Sequence, residues 1–432
     1  MKRRSLLRLV AVLTLFGMLA AACGDDDDGD DAGQEGGDDK ELTAAPGFDP
    51  VKGEINLGVI TPLTGAVAAI GNPLTNGNKT WFDYLNQERG GIAGKYKVVL
   101  KIEDSQYIPQ NGVQAYNKIK GDVVMIAQLL GTPVTNAVLP QLRTDNLVAA
   151  PASLDAEWVR DKNLLPVGGP YQIQMINAAD WLLNEGGGKG KVVCTMIQDD
   201  VYGEAGQEGV EFAAKELGFT IKTTARFKQA APDFTAQIQQ LRSNGCQVVF
   251  LVSTPSDTGK ALGTAAQGGF APQWIGQSPS YIGALAASPL KDYLARTFFV
   301  AAEGTEWGDT SVPGMKDMLD RLQKYQPSQQ PDYYFAFGYN QARAVTAVLE
   351  KAVELGDLSR AGIVKALEEL GTVTFDGLSG DYKYGKPADR EPPRTSTIFK
   401  INPTKPIGIE KVKYNFTSNA AKEFEFEAAA GG

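Results

Sequence analysis

Residues 247–253, QVVFLVS, and residues 123–129, VVMIAQL, are short and almost continuously apolar. Runs of this kind, rich in Val and Ile, are typical of strands that are covered on both faces in a parallel sheet. Further strand candidates are 54–61, 97–103, 147–151, 191–197, 219–227, 273–276 and 297–302. Helical segments between them are about 74–88, 109–120, 135–143, 171–185, 204–217, 233–243, 257–267, 313–325, 334–354 and 359–370. This alternation predicts an α/β fold with parallel sheets and right-handed crossovers.

The strand–helix pattern occurs twice. A strand–helix–strand–helix–strand run occupies 54–130, and a similar run occupies 191–254. Two α/β lobes, each with a doubly wound parallel sheet, are the simplest account. Residues 372–427 change character, with turn signals and β-like runs at 396–402 and 407–416, which predicts antiparallel strands or crossovers between the lobes.

The amino-acid composition excludes several classes of function. The 432 residues carry a formal net charge of −9 and include no histidine. This excludes Ser-His-Asp triads, Cys-His dyads and most zinc sites, and the acidic balance argues against a nucleic-acid partner. We expect no enzyme, no cofactor and no metal site. An enzyme that uses the paired carboxylates Asp199 and Asp200 is the alternative, but adjacent residues on a turn point apart.

The first residues resemble an export signal. Residues 1–22 carry four basic residues and no acidic one, with an apolar run of 14 residues from Leu9, too short for a membrane span. The small residues before Cys23 look like a lipobox, although Ala20 stands where that pattern more often has Leu. By this resemblance Cys23 is the lipidated first residue of the mature chain. A plain secretory signal with an incidental cysteine is the alternative.

A tether follows the lipidation site. Residues 25–39 hold nine acidic residues and no basic one, so this block repels itself and stays extended. We predict a lipidated Cys and an acidic disordered tether over 23–52, which would hold a folded body away from a membrane. A metal-binding acidic patch is disfavoured, because a disordered tether offers no fixed geometry. Residues 428–432 form a small-residue tail.

Two further cysteines, Cys194 and Cys246, lie in strand-like segments. Export makes a disulfide between them chemically possible. The sequence does not give the separation of their Cα atoms, so a disulfide and two buried thiols are equally open.

Ligand-binding candidates lie where strands end, because a parallel sheet binds ligands at the carboxyl ends of its strands. The turn at 130–136, LGTPVTN, follows a buried-type strand and opens a helix. Its free backbone N–H groups and the Thr135 hydroxyl could receive an anion, although an ordinary helix cap explains the same residues. Asp257 lies at another strand end and, as an acid near a helix start, is also a candidate cap.

Residues 54 to about 416 resemble the substrate-binding proteins of branched-chain amino-acid ABC transporters, which are type I periplasmic binding proteins. The order and spacing of several short stretches carry the resemblance, among them Leu57–Gly65, Asn86–Ile92, Ile102–Ser105, the turn at Gly131, Tyr202–Glu204, Asp233–Thr235, Phe337–Asn340 and Phe375–Gly380. It implies two lobes joined by a three-segment hinge, with crossovers near 168, 279 and 375. Lobe 1 would comprise 53–168 plus 280–375, and lobe 2 would comprise 169–279 plus 376–427.

The same resemblance implies a ligand site between the lobes. Thr135 and the backbone N–H groups beside it, up to Asn136, would receive a ligand carboxylate. Asp257 would receive the ammonium group, and Tyr202 would bridge from the second lobe. This chemistry is coherent, because each charge of an enclosed zwitterion needs a partner.

Two departures from the family pattern affect the ligand. Ala152 and Ser153, followed by Leu, stand where the family has two small residues and Thr, so either the Ser153 hydroxyl substitutes or one carboxylate contact is lost. The first loop has Ile70 where an aromatic residue is usual, which could admit a bulkier ligand.

The function implied is that of an extracytoplasmic, lipid-anchored and monomeric receptor. It would capture a branched-chain amino acid, or a related small zwitterion or carboxylate, and deliver it to ABC permease subunits. The alternative is a sensory or regulatory protein of the same fold that binds amides or aromatic acids.

Overall fold

The computed structural model describes residues 42–427. The predicted signal peptide, Cys23, the acidic run 25–39 and the tail 428–432 lie outside the described residues. Strands are numbered β1–β14 and helices α1–α13 in chain order. Within the described part of the chain, two large sheets with packed helices form two α/β lobes, as predicted.

The first lobe contains a sheet in the order β3-β2-β4-β5, with parallel pairing throughout and with β1 added antiparallel to β2. Its strands are β1 (Phe48–Asp49), β2 (Glu54–Thr61), β3 (Lys97–Asp104), β4 (Met125–Leu129) and β5 (Ala149–Pro151). Its helices are α1 (Ala68–Glu88), α2 (Pro109–Ile119), α3 (Thr132–Asp145), α10 (Pro313–Tyr325), α11 (Tyr333–Glu354) and α12 (Arg360–Glu368). Helix α11 packs along α1, so a late part of the chain completes this lobe.

The second lobe contains a seven-stranded sheet in the order β14-β13-β10-β9-β8-β6-β7. Its strands are β6 (Val193–Gln198), β7 (Ile221–Phe227), β8 (Val248–Val252), β9 (Gln273–Gln277), β10 (Phe298–Ala302), β13 (Ser396–Ile401) and β14 (Ile409–Phe416). Its helices are α4 (Tyr171–Asn184), α5 (Val201–Leu217), α6 (Thr235–Ser243), α7 (Pro255–Gln267), α8 (Gly283–Ala286), α9 (Lys291–Thr297) and α13 (Asn419–Glu423). The expected antiparallel C-terminal strands are β13 and β14. A two-stranded ribbon, β11 (Thr372–Val373) with β12 (Tyr382–Lys383), stands apart from both sheets.

One predicted hinge position is wrong. Strand β10 pairs in parallel with β9 and antiparallel with β13, so residues 280–302 belong to the second lobe and not to the first. The chain therefore crosses to the first lobe after Ala302, and not near 279. The reason is that Phe298–Ala302 is a largely buried strand, which joins the larger sheet beside β9 before the chain leaves the second lobe.

The predicted tether is also too long. Leu42 and Phe48 are buried, and β1 pairs with Ile55 and Glu54 of β2. The Phe48 ring meets the Tyr96 ring edge-on, with centroids 5.2 Å apart. Residues 42–49 are thus part of the first lobe, because burial of their apolar side chains lowers the free energy relative to an extended segment that leaves them in water.

Cys194 and Cys246 form a disulfide, with Cα atoms 5.8 Å apart. Cys194 lies on β6, and Cys246 lies in the turn between α6 and β8. The bond therefore joins β6 to the segment of chain that enters its neighbouring strand, β8.

Candidate functional site

A cavity with about 520 Å³ of empty space lies between the two lobes. Its walls come from α1 and the carboxyl ends of β3, β4 and β5 in the first lobe, and from α4, α5 and the segments around Thr254 and Ser278 in the second. The start of α11 contributes a further wall. The position agrees with the rule that parallel α/β lobes bind ligands at the carboxyl ends of their strands.

The cavity wall is apolar and aromatic. Five tyrosines, eight other apolar residues and five small polar or glycine residues form it. In that order they are Tyr107, Tyr171, Tyr202, Tyr333 and Tyr334; Val67, Ile70, Leu74, Leu130, Ala152, Leu154, Pro279 and Phe337; and Gly131, Thr132, Ser153, Thr254 and Ser278. Among the described residues, no Asp, Glu, Lys or Arg side chain lines this cavity.

Four of the seven predicted ligand-binding residues line the cavity: Ile70, Ala152, Ser153 and Tyr202. The other three, Thr135, Asn136 and Asp257, do not. The structure therefore brings together the small residues after β5, the first-loop Ile70 and Tyr202 of the second lobe. The residues predicted to bind the ligand charges, Thr135 and Asp257, lie outside this cavity wall.

The hydroxyl at the carboxyl end of β4 belongs to Thr132 and not to Thr135. Helix α3 begins at Thr132, three residues before the predicted start, and the Thr135 hydroxyl donates a 3.4 Å hydrogen bond to the Leu129 carbonyl inside the lobe. The Thr132 hydroxyl is buried against the cavity and has no hydrogen-bond partner in the described chain. The missed signal is Pro133, because proline favours the first turn of a helix.

Ser153 supplies a second hydroxyl of the same kind. It follows β5, which pairs with β4, so Ser153 and Thr132 extend from adjacent strand ends. Ser153 is 4% exposed, lines the cavity and has an Oγ without a hydrogen-bond partner among the atoms of residues 42–427. Together with the N-terminal turn of α3, these hydroxyls can donate to a carboxylate.

Tyr202 lines the cavity from the second lobe, but its hydroxyl is already engaged. It donates to the Ser253 carbonyl at 3.1 Å, and its ring meets the Tyr171 ring edge-on at 5.4 Å. The Asp200 carboxylate caps the start of α5 and so holds the Tyr202 backbone in place, since it accepts from the Tyr202 and Gly203 N–H groups. Burial raises the pKa of Tyr202 well above its usual value, so the side chain is neutral.

Asp257 is a buried structural carboxylate. Its Oδ2 accepts from the Ala230 N–H at 2.8 Å and lies 3.5 Å from the Thr254 hydroxyl, while Lys260 Nζ lies 3.9 Å from its Oδ1. Burial raises its pKa. Its neighbour Thr254 lines the cavity in its place. Asp257 thus ties the start of α7 to the loop after β7.

Asn136 also faces away from the cavity, and its Oδ1 accepts from Trp158 Nε1 at 3.3 Å.

The sequence analysis did not identify four of the cavity tyrosines: Tyr107, Tyr171, Tyr333 and Tyr334. Tyr171, Tyr333 and Tyr334 begin helices at the lobe junction, where Pro170 and the capping carboxylate of Asp332 mark the starts. Those helix-start signals could have identified them.

Comparison with known proteins gives a consistent family. A periplasmic binding protein family model matches residues 54–406. The Leu/Ile/Val-binding protein homolog 3 of Brucella melitensis is 27% identical, covering 83% of this chain and 94% of that protein. BraC3, a Leu/Ile/Val-binding protein of Rhizobium johnstonii, is 27% identical over 81% of this chain and 92% of its own.

Two solved structures are similar. A fatty acid ABC transporter substrate-binding protein from Thermomonospora curvata has a TM-score of 0.83 and 26% identity, covering 90% of this chain and 98% of its own. A branched-chain amino-acid ABC transporter protein from Thermus thermophilus, with bound valine, has a TM-score of 0.72 and 18% identity, covering 86% of this chain and 98% of its own. The second likeness shows the type I fold alone. On the match over residues 54–406, the chain belongs to the periplasmic binding protein family, whose members are non-enzymatic solute-binding proteins.

Proposed function

We propose that this protein is the solute receptor of an ABC importer and that its solute is a carboxylic acid with an apolar body, such as a fatty or aromatic acid. The observation that carries the proposal concerns the described residues: no charged side chain lines the cavity, and the hydroxyls of Thr132 and Ser153 have no hydrogen-bond partner among them. A carboxylate placed there has hydroxyl donors and the N-terminal turn of α3. The apolar body has aromatic and aliphatic walls.

The absence of an acidic side chain from the described cavity wall disfavours an α-amino acid. An ammonium group enclosed between the lobes loses its water and needs a carboxylate or several acceptors. Asp257, the expected partner, uses its Oδ2 on the Ala230 N–H and does not line the cavity. Likeness to the fatty acid receptor of Thermomonospora curvata supports the same choice.

A branched-chain amino acid is the second candidate, favoured by the two Leu/Ile/Val-binding relatives. A thermal-shift screen separates the candidates, because a ligand that binds the folded state raises the melting temperature by mass action. We expect stabilisation by octanoate or phenylacetate and little by leucine, isoleucine or valine. Stabilisation by the branched-chain amino acids alone would reject the carboxylic acid.

Delivery and attachment complete the proposal. The receptor is monomeric, sits outside the cytoplasmic membrane on a lipid attached to Cys23, and passes its solute to permease subunits. None of the described helices is long and apolar enough to cross a membrane. Cys23→Ser should move the protein from the membrane fraction to the soluble fraction, and unchanged fractionation would reject the anchor. A sensory role is the alternative, and loss of solute uptake on deletion of the gene would favour transport.

A further inference from the structure

A second cavity lies behind the first. It spans about 410 Å³ of empty space, part of which is open to solvent, and is here called the rear chamber. Its apolar wall includes Trp307, Met315, Leu378 and Ile407. Met315 belongs to α10 of the first lobe, whereas Ile407 precedes β14 of the second, so the rear chamber also lies at the lobe junction.

Tyr333 and Phe337 line both cavities. They are four residues apart on α11 and therefore lie next to each other on one helix face. Tyr334 faces only the ligand cavity, and Ala336 faces only the rear chamber. The two aromatic side chains thus form the partition between the two cavities.

Among the described residues that line the rear chamber, Asn340 carries a buried hydrogen-bond acceptor that lacks a donor. Asn340 is 3% exposed, its Nδ2 donates to the Ser379 hydroxyl at 3.4 Å, and its Oδ1 has no partner within residues 42–427. The Glu303 carboxyl accepts from the Gly169 N–H at 3.0 Å. A buried acceptor without a donor is costly, so a ligand group that donates a hydrogen bond gains affinity there.

We propose that the rear chamber is a second subsite, which receives the far end of an elongated carboxylic acid bearing a hydroxyl group at that end. This rests on the proposed function, because the carboxylate is placed at Thr132 and Ser153. Methylene groups would pass Tyr333 and Phe337 and contact the apolar wall, and the terminal hydroxyl would donate to Asn340 Oδ1. A neutral hydroxyl fits better than an ammonium group, because burial raises the pKa of Glu303 to about 7 and so weakens its negative charge.

The direct test compares dodecanoate with ω-hydroxydodecanoate on the wild-type protein by isothermal titration calorimetry. One additional hydrogen bond to a buried acceptor is expected to make the hydroxy acid bind about tenfold more tightly. Asn340→Leu should abolish this preference, and Asn340→Ala serves as a second variant if Asn340→Leu does not fold. Equal or weaker binding of the hydroxy acid to the wild type would overturn the subsite.

A filling variant tests whether long chains reach the chamber. Ala336→Phe should weaken dodecanoate by at least about tenfold more than it weakens butanoate, because only the long chain extends past Phe337. Equal effects on both acids would contradict the subsite while leaving the proposed function intact. If neither dodecanoate nor butanoate binds the wild type, the proposed function itself fails, and the subsite fails with it.

Discussion

The Tyr107 ring occupies the space beside Gly131 that any other residue's Cβ would need. A Cβ atom at Gly131 would lie 2.6 Å from Tyr107 Cε2, and the φ of Gly131 is +108°, where only glycine is at ease. Both residues line the ligand cavity, so the close approach sets the position of the Tyr107 ring and of the first turn of α3 together.

Gly131→Ala is therefore expected to disturb both stability and binding. We predict a loss of about 1–3 kcal/mol in the free energy of unfolding, from steric overlap and backbone strain. Urea denaturation followed by circular dichroism measures it. Gly121, which has open space around it, provides the matched control as Gly121→Ala. Equal free energies of unfolding for Gly131→Ala and Gly121→Ala would contradict the steric conflict between a side chain at residue 131 and the Tyr107 ring.

The two threonines of the α3 start should behave differently. Thr132→Val removes a cavity hydroxyl and should weaken octanoate binding by about 10- to 100-fold, the usual effect of one hydrogen bond to a charged group. Thr135→Val removes a hydroxyl that is engaged with the Leu129 carbonyl, so it should lower stability slightly and leave the affinity unchanged. Titration calorimetry measures the octanoate affinity of both variants. A larger loss of affinity in Thr135→Val than in Thr132→Val would identify Thr135 as the ligand-binding residue.

The start of α3 illustrates what sequence can and cannot establish. Most long strands and helices of both lobes followed from alternating apolar runs, because burial on both faces leaves a clear pattern. The short helices α8, α9 and α13 were not predicted. The site depends on a shift of three residues at one helix start, and helix ends are set by local turn geometry that periodicity does not resolve. The lobe assignment of β10 depends on pairing between distant strands, which a local pattern does not specify.

Asp257→Asn is expected to leave the octanoate affinity within about twofold of the wild type, because the side chain does not line the cavity. An asparagine oxygen can still accept from the Ala230 N–H, so the loop after β7 should stay in place. Calorimetry measures the affinity, and a loss of tenfold or more for octanoate would return Asp257 to the binding site.

Glu303 should make stability depend on pH. Burial raises its pKa from the usual 4.5 to about 7 in the folded protein. Between these values the folded chain retains a proton that the unfolded chain has lost, so stability falls as the pH rises from about 4.5 to about 7 and then levels off. Asp155 and Asp332, whose pKa values burial also raises to about 7, act in the same direction.

Glu303→Gln isolates the contribution of one group. The variant should gain stability relative to the wild type as the pH rises through this window, measured by urea denaturation at several pH values. Glu425→Gln, at an exposed position, is the control. A difference between variant and wild type that does not change with pH would contradict the buried, proton-retaining carboxyl.

The disulfide should stabilise the second lobe. Cys194 and Cys246 are 52 residues apart, and closing a loop of that length stabilises a fold by up to about 4 kcal/mol through the unfolded state. The double variant Cys194→Ala/Cys246→Ala should therefore melt at a lower temperature than the oxidised wild type. Mass spectrometry with and without reductant confirms the bond, and equal melting temperatures would contradict its contribution.

The head group of the ligand tests the central claim most directly. Octanoate, octylamine and leucine differ in carrying a negative charge, a positive charge or both, and titration calorimetry measures their affinities for the ligand-free wild-type protein. A cavity with unpaired hydroxyls and no charged side chain in its described wall should bind octanoate and reject octylamine and leucine. Tight binding of leucine with no binding of octanoate would contradict the account and identify an amino-acid receptor.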